Sequence, residues 1–167
     1  MLDYVLLRMA EGIMAFLEEQ HEKAIHHFEA VLGLESEVKD KELIAIANFW
    51  IGRCYRHQGR YDDALGYVAK ARAIAPERQF PKMSAVMQVL VGWILFQEGE
   101  LNEAAWILGE AEPVLLGTDD SVSRGNINST YGRMERRNGK YDQALKCFAN
   151  RRLATSGIHQ PVCLQIF

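Results

Sequence analysis

Apolar residues recur along most of the chain at three- and four-residue steps, the period of an α-helix with one buried face. The runs 2–18, 22–34, 38–58, 61–75, 82–98, 101–116, 120–138 and 141–154 carry this pattern and predict eight helices. No run alternates apolar and polar residues as a half-buried strand would. Start and stop signals fall between the runs. Ser36, Pro81 or Ser84, and Asp119 or Asp120 suit helix N-termini. Pro76 and Pro81 bracket one connection, and Gly117-Thr118-Asp119-Asp120 forms another.

The pattern repeats at long range. Gly12, Gly52, Gly92 and Gly132 step by 40 residues, as do Ala24, Ala64, Ala104 and Ala144. A second series, Gly59, Gly99 and Gly139, follows the first by seven residues, with Glu19 in that place in the first unit. Gly59 and Gly139 stand where a first helix must stop and turn, because glycine tolerates positive φ. Two antiparallel helices joined by a short turn pack about 8–10 Å apart between axes. A Gly on one helix and an Ala on the other leave room for that crossing. Tyr55, Val68 and Ala71 fill the surrounding places in the second unit, and Leu95, Leu108 and Ala111 in the third. A hairpin of this size cannot bury its faces alone, so neighbours must stack.

Gly52 and Gly59 with Tyr55, Ala64, Ala71 and Pro76 resemble the signature of the tetratricopeptide repeat (TPR) family. The resemblance implies an all-α, right-handed superhelical solenoid of four TPR-like helical hairpins. In the family's register the units fall at about 5–38, 45–78, 85–118 and 125–158, the array proper covering 1–154. Units two and four match best. Unit three has Leu95 and Leu108 at aromatic places, and unit one has Arg8 and Glu11 at apolar ones. The 40-residue step exceeds the usual period of about 34. The extra residues fall before each ladder glycine and lengthen the first helix of each hairpin.

Arg8 and Glu11 suit a polar N-terminal cap. At the other end Leu145, Cys147 and Phe148 await cover from a following unit. Residues 155–167 form either a tail or the start of a truncated fifth unit, since Gly157 follows Gly117 and Val162 follows Val122 by 40 residues. Completion of the last helix by another copy, and hence self-association, is the alternative.

The resemblance also implies a binding face. In such arrays the first helix of each hairpin lines a concave groove. The groove positions of the first unit hold Leu6, Met9, Ile13, Phe16 and Leu17. Those of the later units include Phe49, Arg53, Arg56, His57, Trp93, Phe96, Asn126, Arg133, Arg136 and Arg137. Odd units offer apolar and aromatic groups, even ones cations. Phe16 and Phe96, Arg53 and Arg133, Arg56 and Arg136, and His57 and Arg137 are each 80 residues apart, as a duplication of two hairpins would leave them. The expected partner is a protein or peptide with acidic residues and apolar anchors, because a guanidinium grips a carboxylate with two parallel hydrogen bonds. The competing reading is a solvated basic face over ordinary inter-repeat packing. Asn48 and Asn128 are expected either to meet a peptide backbone or to bond between helices.

Composition narrows the class of function. The 167 residues carry a net charge of −3, with 49% apolar and 25% charged, which fits a folded, water-soluble chain. Cys54, Cys147 and Cys163 are odd in number and far apart, so reduced thiols and a cytoplasmic setting are expected. The start lacks a basic n-region, and Asp3, Glu11, Glu18 and Glu19 interrupt its apolar pattern, so a signal peptide is not expected. The longest uncharged apolar stretch, 86–96, is far short of the roughly 20 residues of a membrane span.

Catalytic patterns are missing. His21-Glu22 and His26 superficially suggest a zinc motif, but the histidines stand at i and i+5 where zinc on a helix wants i and i+4; surface or interface roles are expected. Asp62-Asp63 and Asp119-Asp120 lie at helix starts, where carboxylates suit exposed N–H groups. No catalytic residue, metal or cofactor is expected. Nucleic acid has only the 133–137 cluster with Arg151 and Arg152 in its favour, and is not expected either. A binding scaffold is the preferred function; the effector-sensing portion of a larger signalling or transcription regulator is the alternative.

Overall fold

The computed structural model describes residues 1–155. They form eight α-helices: α1 (Leu2–Leu17), α2 (His21–Leu32), α3 (Lys41–His57), α4 (Tyr61–Ile74), α5 (Pro81–Glu98), α6 (Leu101–Leu116), α7 (Ser121–Arg137) and α8 (Tyr141–Thr155). No strand occurs among the described residues. The all-α class and the paired helices agree with the sequence reading, and most boundaries agree within one residue. The start of α3 differs. Residues 33–38 form a chain of short turns, in which the N–H groups of Glu37 and Val38 both reach the carbonyl of Leu34. The helix begins only after Asp40, whose side chain accepts from the N–H of Glu42 at 3.0 Å. Ser36 lies inside those turns and starts nothing.

Two compact units make up the chain, Met1–Phe80 and from Pro81 onward. In the first, α1 pairs with α2 and α3 with α4, and α2 and α1 also meet α3. In the second, α5 pairs with α6 and α7 with α8, and α7 meets both α5 and α6.

The ladder glycines sit at the hairpin crossings. Each faces the residue 16 places on, and three face its ring or branched chain closely. A Cβ added at Gly12 would lie 2.6 Å from the Phe28 ring, at Gly92 2.7 Å from Leu108, and at Gly132 2.7 Å from the Phe148 ring. At Gly52 it would meet the backbone oxygen of Ala64 at 3.1 Å and Val68 at 3.3 Å. Phe148 therefore does not wait for a following unit: its ring closes over Gly132. Leu145 and Leu153 of α8 do stay open, at 66% and 74% exposure.

Where the first helix of each hairpin ends, Gly59, Gly99 and Gly139 adopt φ of 75°, 93° and 74°. Glu19 takes the same left-handed turn at φ 60°.

The N-terminal helix corrects a second expectation. Arg8 and Glu11 do not form a polar outer face. Arg8 Nη1 bonds Glu11 Oε2 at 2.9 Å, and that carboxylate lies 3.3 Å from His27 Nδ1 on α2, so both residues serve the α1–α2 seam. The open side of α1 carries Leu2, Leu6, Leu7, Met14 and Leu17 instead.

Candidate functional site

In the first unit three helices bring aromatic and basic groups together. Trp50 is buried near the middle of α3, edge-on to Phe16 of α1 at 5.1 Å and stacked on Phe28 of α2 at 5.9 Å. The Arg53 guanidinium, one turn on, lies 4.3 Å over the Trp50 ring and 4.9 Å over Phe16, and 5.9 Å over Phe49. Such stacking lets a planar cation bury its face while its edge keeps its hydrogen-bonding capacity.

At the end of α3, His57 stands edge-on to Phe16 at 5.1 Å and 5.0 Å from the ring of His21, which opens α2. Arg56 sets Nη2 2.6 Å from His57 Nε2. Burial, then the charges of Arg56, His21 and Arg53, push His57 down to about 4. Burial also lowers Arg56 from its ordinary value. Beside this cluster is an open depression of about 450 Å³ lined by Glu19, Gln20, His21, Glu22, Lys23 and Gln58.

The second unit repeats part of this arrangement. The Arg137 guanidinium, at the end of α7, lies 4.2 Å over the Phe96 ring and donates to the Phe96 carbonyl oxygen at 3.0 Å. That carbonyl, near the C-terminal end of α5, also accepts from the Gly99 N–H at 3.3 Å. Phe96 and Arg137 are the residues 80 places after Phe16 and His57. The 80-residue correspondence thus extends to a contact, with an imidazole edge-on to the ring in one unit and a guanidinium over it in the other.

The remaining candidates are spread over the same helices. Phe49 and Phe96 are 4% and 3% exposed, so each offers a partner little of its surface. Trp93 and Arg133 are half-buried, whereas Asn126, Arg136 and Arg137 are exposed. Arg53, Arg56 and His57 come together within the first unit. Asn48 and Asn128 bond within their own helices rather than between helices: Asn48 Nδ2 donates to the Ile44 carbonyl at 2.9 Å and Asn128 Nδ2 to that of Arg124 at 3.1 Å.

Two members of the first cluster were missed. Trp50 falls one place beyond a groove position, and His21 opens the second helix of its hairpin, so neither lies where the family resemblance looks. Only the crowding of aromatic and basic residues near the ends of α1 and α3 hints at them.

Other chemistry is sparse. His21 joins the cluster, whereas His26 packs near His27 at 6.2 Å. Among the described residues no group of three or more His, Cys, Asp or Glu is placed to hold a metal ion. Asp120 caps α7, accepting from the Ser123 N–H at 2.9 Å and its hydroxyl at 2.8 Å, and Asp63 pairs with Arg60 at 2.7 Å. No described helix is long and apolar enough to cross a membrane.

Compared with known families, residues 6–77 match the model of the tetratricopeptide repeat. That span runs from α1 past the end of α4 and includes the whole aromatic and basic cluster. None of the curated proteins searched matches the chain.

Proposed function

We propose that this chain, which belongs to the tetratricopeptide repeat family over residues 6–77, is a protein-interaction scaffold whose two units each hold an acidic peptide segment against the first helices of their own hairpins. Repeats of this family generally mediate protein–protein interaction, and the finer reading concerns what is held and where. The observation that carries it is the seating of cations on aromatic faces: Arg53 over Trp50 and Phe16 in one unit, Arg137 over Phe96 in the other. A guanidinium fixed this way has already lost much of its side-chain freedom, so less entropy is lost when it grips a carboxylate. Arg136, exposed on the same helix as Arg137, adds attraction at longer range. In the second unit apolar anchoring falls to Trp93 rather than to the buried ring of Phe96.

Charge reversal tests this. Arg53→Glu and Arg133→Glu are each expected to weaken binding of an acidic peptide by about tenfold, the scale of one charge-assisted contact. Helix content by circular dichroism should be unchanged. Equal affinity for wild type and the double variant would rule the reading out.

A further inference from the structure

Two imidazoles and two guanidiniums converge in the first unit, supplied by α2 and α3 and backed by Phe16 of α1. The contact between Arg56 Nη2 and His57 Nε2, at 2.6 Å, requires a neutral imidazole whose Nε2 accepts the guanidinium proton. A protonated ring would point a donor at a donor. His21, 5.0 Å away across a tilted stack, keeps Nδ1 enclosed with no hydrogen-bond partner among the described residues. His57 is therefore held close beside fixed positive charge, an arrangement that favours its uncharged form until negative charge arrives.

We propose that the His21–Arg53–Arg56–His57 cluster is a carboxylate-binding site coupled to proton uptake: an Asp or Glu side chain of the partner docks between Arg56 and His57, and one proton from solvent enters the His57 imidazole with it. The carboxylate then accepts from the guanidinium and from the newly formed imidazolium, replacing the Arg56–His57 hydrogen bond by two charge-assisted ones. This rests on the acidic-peptide reading above and adds a condition to it.

The charged groups facing His57 fit that role. Arg56 and Arg53 face it from its own helix and His21 from α2, while α1 contributes the uncharged Phe16 ring. With burial, these are the influences that push His57 down to about 4. Glu19, Glu22 and Lys23 line the depression on the His21 side, with Gln58, and Tyr61 at the start of α4 bears on Arg56. An anion lodged among the cations opposes every charge that now disfavours the imidazolium, so binding must raise the affinity of His57 for its proton.

The test uses the full chain and an acetylated, amidated peptide alternating Glu with Leu. The His57 ring-proton resonance is followed through pH by NMR with and without peptide, and affinity is measured by fluorescence anisotropy at constant ionic strength. The midpoint of His57, held down to about 4 in the free chain, is expected to rise to about 6.5 on binding. Affinity should strengthen about tenfold between pH 7.5 and 5.5, the linkage expected of one proton. His57→Gln, whatever its affinity at pH 7.5, should abolish that gain. If it unfolds, the wild-type midpoint alone decides. Peptide binding with an unmoved His57 midpoint, or with the same pH dependence in His57→Gln, overturns the proton coupling and leaves the acidic-peptide reading standing. Failure of the peptide to bind at either pH, with Arg53→Glu equally inert, overturns both.

Discussion

Glu19 adopts a backbone conformation that the equivalent positions of the other three hairpins give to glycine. A side chain in the left-handed region costs roughly 1–2 kcal/mol, because Cβ crowds the following carbonyl. Glu19→Gly removes that crowding but loosens the unfolded chain, so a net gain of about 0.5–1 kcal/mol is expected, measurable by urea unfolding. His57 gives a second prediction at this scale, with the sign set by its depressed folded-state value. Above the ordinary histidine value of about 6.5 both folded and unfolded chains hold it neutral, and its full contribution to stability is present. As pH falls from there through about 4, the unfolded chain takes the proton first and the folded state loses that contribution. Wild type should therefore lose more unfolding midpoint between pH 7 and 5 than His57→Gln; parallel losses would contradict the depressed value. Individual residues were unevenly legible in the sequence. The glycine turns were readable because positive φ leaves a residue-type signature. The inward bonds of Asn48 and Asn128 were not, because an amide has the same spacing whether it reaches its own helix, a neighbour or a ligand.

At the scale of elements, the hairpin crossing is the unit of construction. Gly92 faces Leu108, which is fully buried and cannot swing aside, so Gly92→Ala overpacks the α5–α6 crossing. A loss of about 1–3 kcal/mol is expected, as for other added methyl groups in a filled core. Gly66 is the contrast. It sits in the exposed interior of α4 with nothing within 4 Å of an added Cβ, so Gly66→Ala should gain about 0.5–1 kcal/mol from helix propensity alone. Opposite signs for one chemical change would establish that crossing geometry, rather than glycine content, sets the 40-residue ladder. That ladder made the eight helices and their pairing legible, since small residues at a fixed step mark the places where two helix axes must come close. The aromatic and basic cluster was legible only in part. Phe16 and His57, and likewise Phe96 and Arg137, stood out as members of an 80-residue series. Their mutual contact depends on how each first helix is rotated against the next, which no spacing within a single helix reveals. The open side of α1 shows the same limit: Arg8 and Glu11 looked outward-facing on composition, but their charges are satisfied within the seam with α2.

On the scale of the whole molecule, repeat stacks open locally rather than all at once, because each hairpin contacts only its neighbours. Cysteine chemistry can follow this. Cys54 is fully enclosed in the first unit and burial pushes its thiol up to about 12. Cys147, on α8 of the second unit, is also raised by burial but is partly exposed. With iodoacetamide at pH 8, peptide mapping is expected to find Cys147 modified well before Cys54. Modification of Cys54 should then track opening of the first unit and quicken with low concentrations of urea. Equal rates at both sites in native buffer would show that Cys54 is not enclosed.

The paired contacts Phe16–His57 and Phe96–Arg137 set two kinds of base against equivalent rings. A guanidinium keeps its charge at any acidity a living cell encounters; an imidazole holds its charge only on condition. Two halves built to one backbone plan therefore differ in temperament through a single side chain. Writing arginine at position 57 would give the first half the permanence of the second and take away its capacity to respond.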